Sequence, residues 1–170
     1  MKINFGCGKQ TWPGFYCVDA VQHPKATRPV DLIHVLEFDK EKLLNPLPLS
    51  DGTVDEVHSY HFIEHVFRWE ATALVAEWRR LLKHNGLLVL ECPNIEQAAK
   101  NLLAGMNDQM SMWPLYGDWN HKDPYMMHKH GYTPKTIKAL LSDFVDIRFA
   151  PPVMHKGRAN RDMRVEARKP

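Results

Sequence analysis

Gly6-Cys7-Gly8 and Asp19 are the residues whose types and spacing first suggest chemistry. Glycines let a backbone turn sharply and approach a ligand closely. A carboxylate at the end of a strand can accept both hydroxyls of a ribose. Together they are the parts of a nucleoside-binding site. A dinucleotide is the first ligand to test, and the pattern fails. Gly-x-Gly-x-x-Gly would need glycine where Thr11 stands, and Pro13 with the onset of the next strand leaves no room for a full helix. A pyrophosphate would then lack the helix N-terminus that normally receives it. A nucleoside ligand without phosphates suits this loop better, and S-adenosylmethionine is such a ligand.

Histidines are the next candidates, because imidazole is the usual general base near neutral pH. His61, His121, His128 and His130 fall at or near the expected crevice. His121, His128 and His130 are the candidates for a catalytic base, whereas His61 is better placed as a cofactor-pocket residue. For any single histidine a structural or surface role is the simpler account. His61 and His65 have i, i+4 spacing, and His128-Lys129-His130 is a second cluster. Glu does not directly follow the first histidine as in a metalloprotease helix, so no metal site is expected. The three cysteines, Cys7, Cys17 and Cys92, are widely spaced and read as small apolar core residues.

These residues must be positioned by strands and helices that the hydrophobic pattern predicts. Ile3–Phe5 and Phe15–Val18 read as strands on either side of the glycine turn, and Val30–Val35 as a third. Lys40–Leu44 suggests a short helical turn. Asn45-Pro46-Leu47-Pro48-Leu49 must be extended, because each proline disfavours helix at the preceding residue. Val54–Tyr60 reads as a strand between two turns. Ile63, Phe67, Ala71, Leu74, Trp78 and Leu81 recur at helical spacing, which predicts a helix over 61–83 closed by Asn85-Gly86. Leu87–Cys92 is a buried strand, Ile95–Leu103 a helix, and Thr133-Pro134 opens another helix. Val145–Phe149 and Met163–Ala167 are the last two strands. The alternation predicts an α/β layer fold with a mostly parallel sheet and an antiparallel pair at one edge.

The chain of 170 residues carries a net charge of +2, too small to argue for nucleic acid or an anionic membrane. Lys156, Arg158, Arg161, Arg164, Arg168 and Lys169 make the C-terminal stretch locally basic, and a solvated edge is the simplest reading. No apolar run approaches a membrane span and no signal peptide opens the chain, so a cytoplasmic protein of one domain is expected. Residues 105–133 lack a clear period and are rich in Met, Trp, Tyr and His, which suggests a lid or binding loop.

A family resemblance adds to this reading. Ile3-Asn4-Phe5-Gly6-Cys7-Gly8 followed by Gly14-Phe15-Tyr16-Cys17-Val18-Asp19 resembles the opening of small class I S-adenosylmethionine-dependent methyltransferases of the type 11 kind. Leu47–Val57 resembles their segment before the fourth strand, and His61-Phe62-Ile63-Glu64-His65 the start of the following helix. Glu77–Gly86 resembles the helix-to-strand turn, and His130-Gly131-Tyr132-Thr133 with the terminal strand fits the C-terminal half.

The resemblance implies a Rossmann-like fold in a minimal version, without N-terminal cap helices. It implies that Gly6, Cys7 and Gly8 border the methionyl part of the cofactor, that Asp19 holds the ribose, and that His61 faces the sulfonium. Val35 and Leu36 would border the adenine. The family often has an Asp where Val35 stands, and Glu37 or a backbone carbonyl is the substitute here. The loop or a second copy of the chain in a homodimer would cover the acceptor. Trp113, Tyr116, Trp119, Tyr125 and Tyr132 either form an aromatic acceptor pocket or pack the loop down. The implied activity is methyl transfer to a small-molecule acceptor. A non-catalytic adenosyl-binding module and a nucleic-acid methyltransferase are the alternatives.

Overall fold

The structure, a computed structural model, describes residues 1–155 and 160–170. Its centre is a seven-stranded sheet. The strands are β1 (Lys2–Phe5), β2 (Phe15–Asp19), β3 (Leu32–Ile33), β4 (Val54–Tyr60), β5 (Leu82–Pro93), β6 (Val145–Ala150) and β7 (Asp162–Arg168). Their spatial order is β3-β2-β1-β4-β5-β7-β6. β1 pairs in parallel with both β2 and β4, and β4 pairs in parallel with β5. β7 runs antiparallel to both of its neighbours, one place in from the edge. The chain therefore leaves β1 toward one edge, returns beside β1, and builds the other half of the sheet. That reversal is where an open parallel sheet offers a crevice at its strand ends.

Buried strands require apolar side chains on both faces. Ile3, Val18, Val57, Leu88, Leu90 and Val165 meet that requirement, each no more than 1% exposed. Helix α1 (Arg68–Leu81) covers the core with Ala71, Leu74, Val75, Trp78 and Leu81. Removing side chains of that size from water contributes roughly 1.5–3 kcal/mol apiece. Phe5, at the end of β1, packs edge-on against both Trp78 and Phe62, with ring centroids 5.5 and 5.2 Å away. The floor of the glycine turn is thus an aromatic cluster.

The helix begins later than the periodicity predicts. His61 has a left-handed backbone with φ 51°, Ile63–His65 form a single 3-10 turn, and Val66 and Phe67 are extended before α1 starts. Ile63 and Val66 are still buried, which is why their spacing reads as helix. The Glu70 carboxylate accepts the Phe67 N–H at 3.2 Å and anchors the true N-terminus. At the other end Arg80 pairs with Glu77 and Asp51 and donates to the carbonyls of Leu47 and Leu49. The proline-rich segment is thereby held extended along the helix.

The predicted turn at Lys40–Leu44 is instead half of a small antiparallel hairpin, Phe38–Asp39 with Lys42–Leu43. Its tip is Lys40 at φ 54°, a conformation that breaks a helix. The third strand is also shorter than Val30–Val35, with two paired residues. Helix α2 (Ile95–Leu103) matches its predicted bounds. Residues 105–132 contain a short helix, α3 (Met112–Tyr116), and two 3-10 turns at Trp119–His121 and Pro124–Met126. Helix α4 (Pro134–Leu140) is capped by Thr133, whose hydroxyl accepts the Thr136 N–H.

The described part of the basic stretch is not a solvated edge. Lys156 and Arg158 lie outside the described residues. Arg161 is buried against Asp162, Arg164 pairs with Glu166, and Arg168 and Lys169 donate to backbone carbonyls of Asn85 and Leu82. Among the described residues no helix is long and apolar enough to cross a membrane.

Candidate active site

β1 stops at Phe5 because Gly6 turns the chain away at φ 66°. The Gly6 and Cys7 N–H groups donate back to the Val18 carbonyl at 2.9 and 3.3 Å, so the turn folds onto β2. No helix follows before β2, as Pro13 and Gly14 predict. The loop closes through the Asn4 side chain, which donates to the Gln10 carbonyl at 2.7 Å. Asp19, at the end of β2, accepts the Gly8 N–H at 2.7 Å through Oδ2, and Oδ1 accepts the Val21 N–H at 3.3 Å. A carboxylate offers about four lone-pair sites, so Asp19 retains capacity for two further donors. An added Cβ on Gly8 would meet nothing within 4 Å. The glycine therefore faces open space beside a half-buried carboxylate, as a nucleoside with a flat diol requires.

Asp19 is tied to the neighbouring strand end as well, because its carbonyl accepts the His34 N–H at 2.8 Å. Asn45 holds the following residues: its amide donates to the Val35 carbonyl and accepts the Glu37 N–H. Val35 is 58% exposed and Glu37 is exposed, whereas Leu36 packs partly against the core. Cys7 is buried, and its thiol is pushed up to about 12, chiefly by burial, with Asp19 adding to the shift. It is a packing residue, as is the fully buried Cys92.

His61 lies at the end of β4, and the fold gathers acids around it that are far apart in sequence. Its Nδ1 is 3.2 Å from Glu64, and its Nε2 is 3.6 Å from both Glu91 and Asp162. The ring also lies against His155, with centroids 4.3 Å apart. Burial opposes the charge on this imidazole, but Glu64, Glu91 and Asp162 outweigh it and raise the pKa to about 9. Glu91 itself accepts the Val153 and Met154 N–H groups at 2.7 and 2.9 Å. Asp162 is bracketed by the Arg161 guanidinium, and despite burial His155 and Arg161 hold its carboxyl low.

Because the folded value lies above the ordinary 6.5, the stability gained from charged His61 is complete below pH about 6.5 and lost as pH rises through about 9. His61→Asn keeps a residue that tolerates the left-handed backbone. Denaturation midpoints measured across that window should fall more steeply for the wild type than for His61→Asn. Parallel profiles would contradict the ion-pair assignment.

The three candidate bases diverge. His121 sits exposed on a 3-10 turn, 3.9 Å from Asp118. His130 stands edge-on to Tyr132, with ring centroids 4.8 Å apart, and burial lowers its pKa. His128 Nδ1–H donates to the Pro114 carbonyl at 2.9 Å, and its ring meets that of His65, with centroids 4.9 Å apart. The aromatic residues divide similarly. Tyr132 is buried, and Trp113 packs against Trp119. Tyr116 and Trp119 line a cavity of about 320 Å³ with Met126 and Met127, and Tyr125 is exposed. A second cavity, about 500 Å³, lies between the small hairpin and Trp69. Gly6, Gly8 and Asp19 line neither.

Sequence reasoning missed Glu64, Glu91 and Asp162. A signal existed for Glu91, an acid within the apolar run Leu87–Cys92. Nothing local linked it to Glu64 or Asp162.

Known proteins share this fold. A family model described as a methyltransferase domain matches residues 14–90. A comparison with curated proteins gives no match. Among solved structures, the chain is similar to a SAM-dependent methyltransferase from Archaeoglobus fulgidus, with 17% identity and a TM-score of 0.63 over 99% of this chain and 85% of that one. It is also similar to a SAM-dependent methyltransferase from Methanosarcina mazei, with 16% identity and a TM-score of 0.60 over 99% and 91% of the two chains. A third is the 1,6-didemethyltoxoflavin-N1-methyltransferase of Burkholderia thailandensis, solved with 1,6-didemethyltoxoflavin and S-adenosylhomocysteine, with 14% identity and a TM-score of 0.54 over 99% and 70%. At these identities the structural likeness speaks for the fold, and the sequence match begins at Gly14, after the first strand and the glycine turn. The chain thus has the fold of S-adenosylmethionine-dependent methyltransferases of known structure, and residues 14–90 match the methyltransferase-domain model.

Proposed function

We propose that the enzyme methylates a small-molecule acceptor held between the β1–β2 turn and the loop of residues 105–132. The observation that carries this reading is the Gly8–Asp19 arrangement: a glycine facing open space, a carboxylate with spare acceptor capacity, and no helix to receive phosphates. Gly6, Cys7 and Gly8 would border the methionyl part of the cofactor, Asp19 would accept the ribose hydroxyls, and Val35, Leu36 and Glu37 would border the adenine. S-adenosylmethionine supplies an activated methyl group for in-line displacement. The chain's own residues align the acceptor and exclude water, which is where a protein accelerates such a transfer.

The loop is the proposed cover. Its cavity of about 320 Å³, with Tyr116, Trp119, Met126 and Met127 on its walls, has the size and apolar lining of a small-molecule pocket. The small-molecule substrate bound to the Burkholderia relative fits the same reading. His61, expected from sequence as a cofactor-pocket residue rather than a base, is surrounded by acids. Its proton is held among three acids, so it structures the end of β4 and does not serve as a free base.

Calorimetry with S-adenosylhomocysteine and with NAD tests the proposal. S-adenosylhomocysteine should bind and NAD should not, because the β1–β2 connection has no helix N-terminus for a pyrophosphate. Binding of NAD without S-adenosylhomocysteine would overturn it.

A further inference from the structure

The Glu64 side chain is 2% exposed, and neither of its oxygens has a hydrogen-bond partner. The nearest cation, His61, is at ion-pair distance but is not aligned to donate. A buried carboxylate left in this way is costly, and native structures seldom leave one without a purpose. Two imidazoles complete its surroundings. Glu64, His65 and His128 bring one ligating atom each to within 4.8 Å of one another.

The orientation of the two rings is the second observation. His65 Nδ1 lies 3.2 Å from the Met127 carbonyl, and His128 Nδ1 lies 2.9 Å from the Pro114 carbonyl. A carbonyl accepts only, so each Nδ1 donates to it, and Nε2 is the nitrogen left on each ring for a further ligand. Histidines that ligate metals are held in this way, by donating the other ring N–H to a backbone carbonyl or carboxylate.

We propose that Glu64, His65 and His128 form a site for one divalent transition-metal ion. Two imidazoles and one carboxylate suit such an ion and leave a coordination position open for an oxygen donor. The histidine pairing that spacing brings to notice, His61 with His65, is not the one that matters. His65 and His128 are brought together from the turn after β4 and from the end of the loop. The ion would therefore fasten the loop to the sheet, where the Lys129 and His130 N–H groups already donate to the Glu64 carbonyl at 2.8 and 3.2 Å.

A neighbouring trio, His61, His155 and Asp162, has similar spacing but different chemistry. The Arg161 guanidinium donates to both Asp162 oxygens and reaches His155 Nδ1 at 2.9 Å. Arg161 therefore already occupies both carboxylate oxygens of that trio and one of its imidazole nitrogens.

The test is calorimetric titration of chelator-treated protein with zinc chloride, with far-UV circular dichroism to verify folding of each variant. One zinc ion per chain should bind. His65→Ala and His128→Ala should each weaken binding by at least ~10–100-fold, the loss seen when only outer-shell partners of a metal are removed. His155→Ala should bind as the wild type does. Cobalt(II) gives a second readout, a visible absorption band expected in the wild type and absent from His65→Ala. Failure of the wild type to bind zinc, unchanged affinity in folded His128→Ala, or loss of binding in His155→Ala would each overturn the proposal. The site stands apart from the methyl-transfer reading, since metal binding and S-adenosylhomocysteine binding are measured separately.

Discussion

Gly6→Ala is expected to destabilise the protein by about 2–5 kcal/mol, the sum of a left-handed backbone cost and an overpacking cost. Gly6 sits at φ 66°, and a Cβ there would lie 2.2 Å from the Phe62 ring and 2.8 Å from the Phe62 Cβ. The second contact means that a ring rotation alone cannot relieve the clash. Phe62 in turn is wedged against Phe5, so moving it disturbs the aromatic floor beneath the turn. Gly8→Ala supplies the comparison. It has a similar backbone, φ 52°, but an added Cβ would meet nothing within 4 Å, so only the backbone cost of about 1–2 kcal/mol remains. The two glycines thus differ in surroundings: Gly6 lets a phenylalanine pack, and Gly8 faces open space. Urea denaturation of both variants separates these roles. Equal stability of Gly6→Ala and Gly8→Ala would show that Phe62 yields easily.

Asp19→Ala is expected to weaken S-adenosylhomocysteine binding by roughly 30-fold or more. Even one hydrogen bond to a charged group is worth about 1.5–3 kcal/mol, and a ribose diol can make two. The same change should move the unfolding midpoint little. The side chain is only half-buried, and the Gly8 N–H that it leaves is beside open space where water can replace it. Asp19→Asn should fall between the two, because an amide oxygen still accepts the Gly8 N–H but carries no charge. Titration calorimetry decides the matter, and wild-type affinity in Asp19→Ala would remove the ribose assignment.

The fold was legible wherever local signals and tertiary packing agreed. Strands β1 and β2 announce themselves by short apolar runs, β4 by its position between two turns, and α4 by Thr133-Pro134. The glycine turn follows from Gly6-Cys7-Gly8, and the missing helix after it from Pro13 and the early onset of the next strand. Difficulty arose where tertiary structure overrides a period. Ile63 and Phe67 continue the spacing of α1, yet the chain there is a 3-10 turn and an extended link. A bend that keeps its apolar residues inward looks like a helix in sequence. Lys40–Leu44 has the composition of a helical turn, but a hairpin needs only a left-handed tip, and Lys40 supplies it.

The candidate site divides along the same line. Gly8 and Asp19 are separated by a single loop, so their contact could be anticipated. Glu64, Glu91 and Asp162 come from three distant parts of the chain. Only the sheet order brings them to one place, and no spacing rule encodes it.

The position of the last strand has a consequence for how the molecule is made. β5 lies between β4, which precedes it in the chain, and β7, which is translated some seventy residues later. Until β7 arrives, β5 presents an unpaired edge bearing Leu88, Leu90 and Cys92, the kind of edge that recruits other chains. Asp162 opens β7 opposite Pro93, and it completes the charge around His61 in the same step that closes this edge. Sheet closure and assembly of the acidic cluster are therefore one folding event. A variant that slows β7 docking should expose its defect first as aggregation of newly made chains.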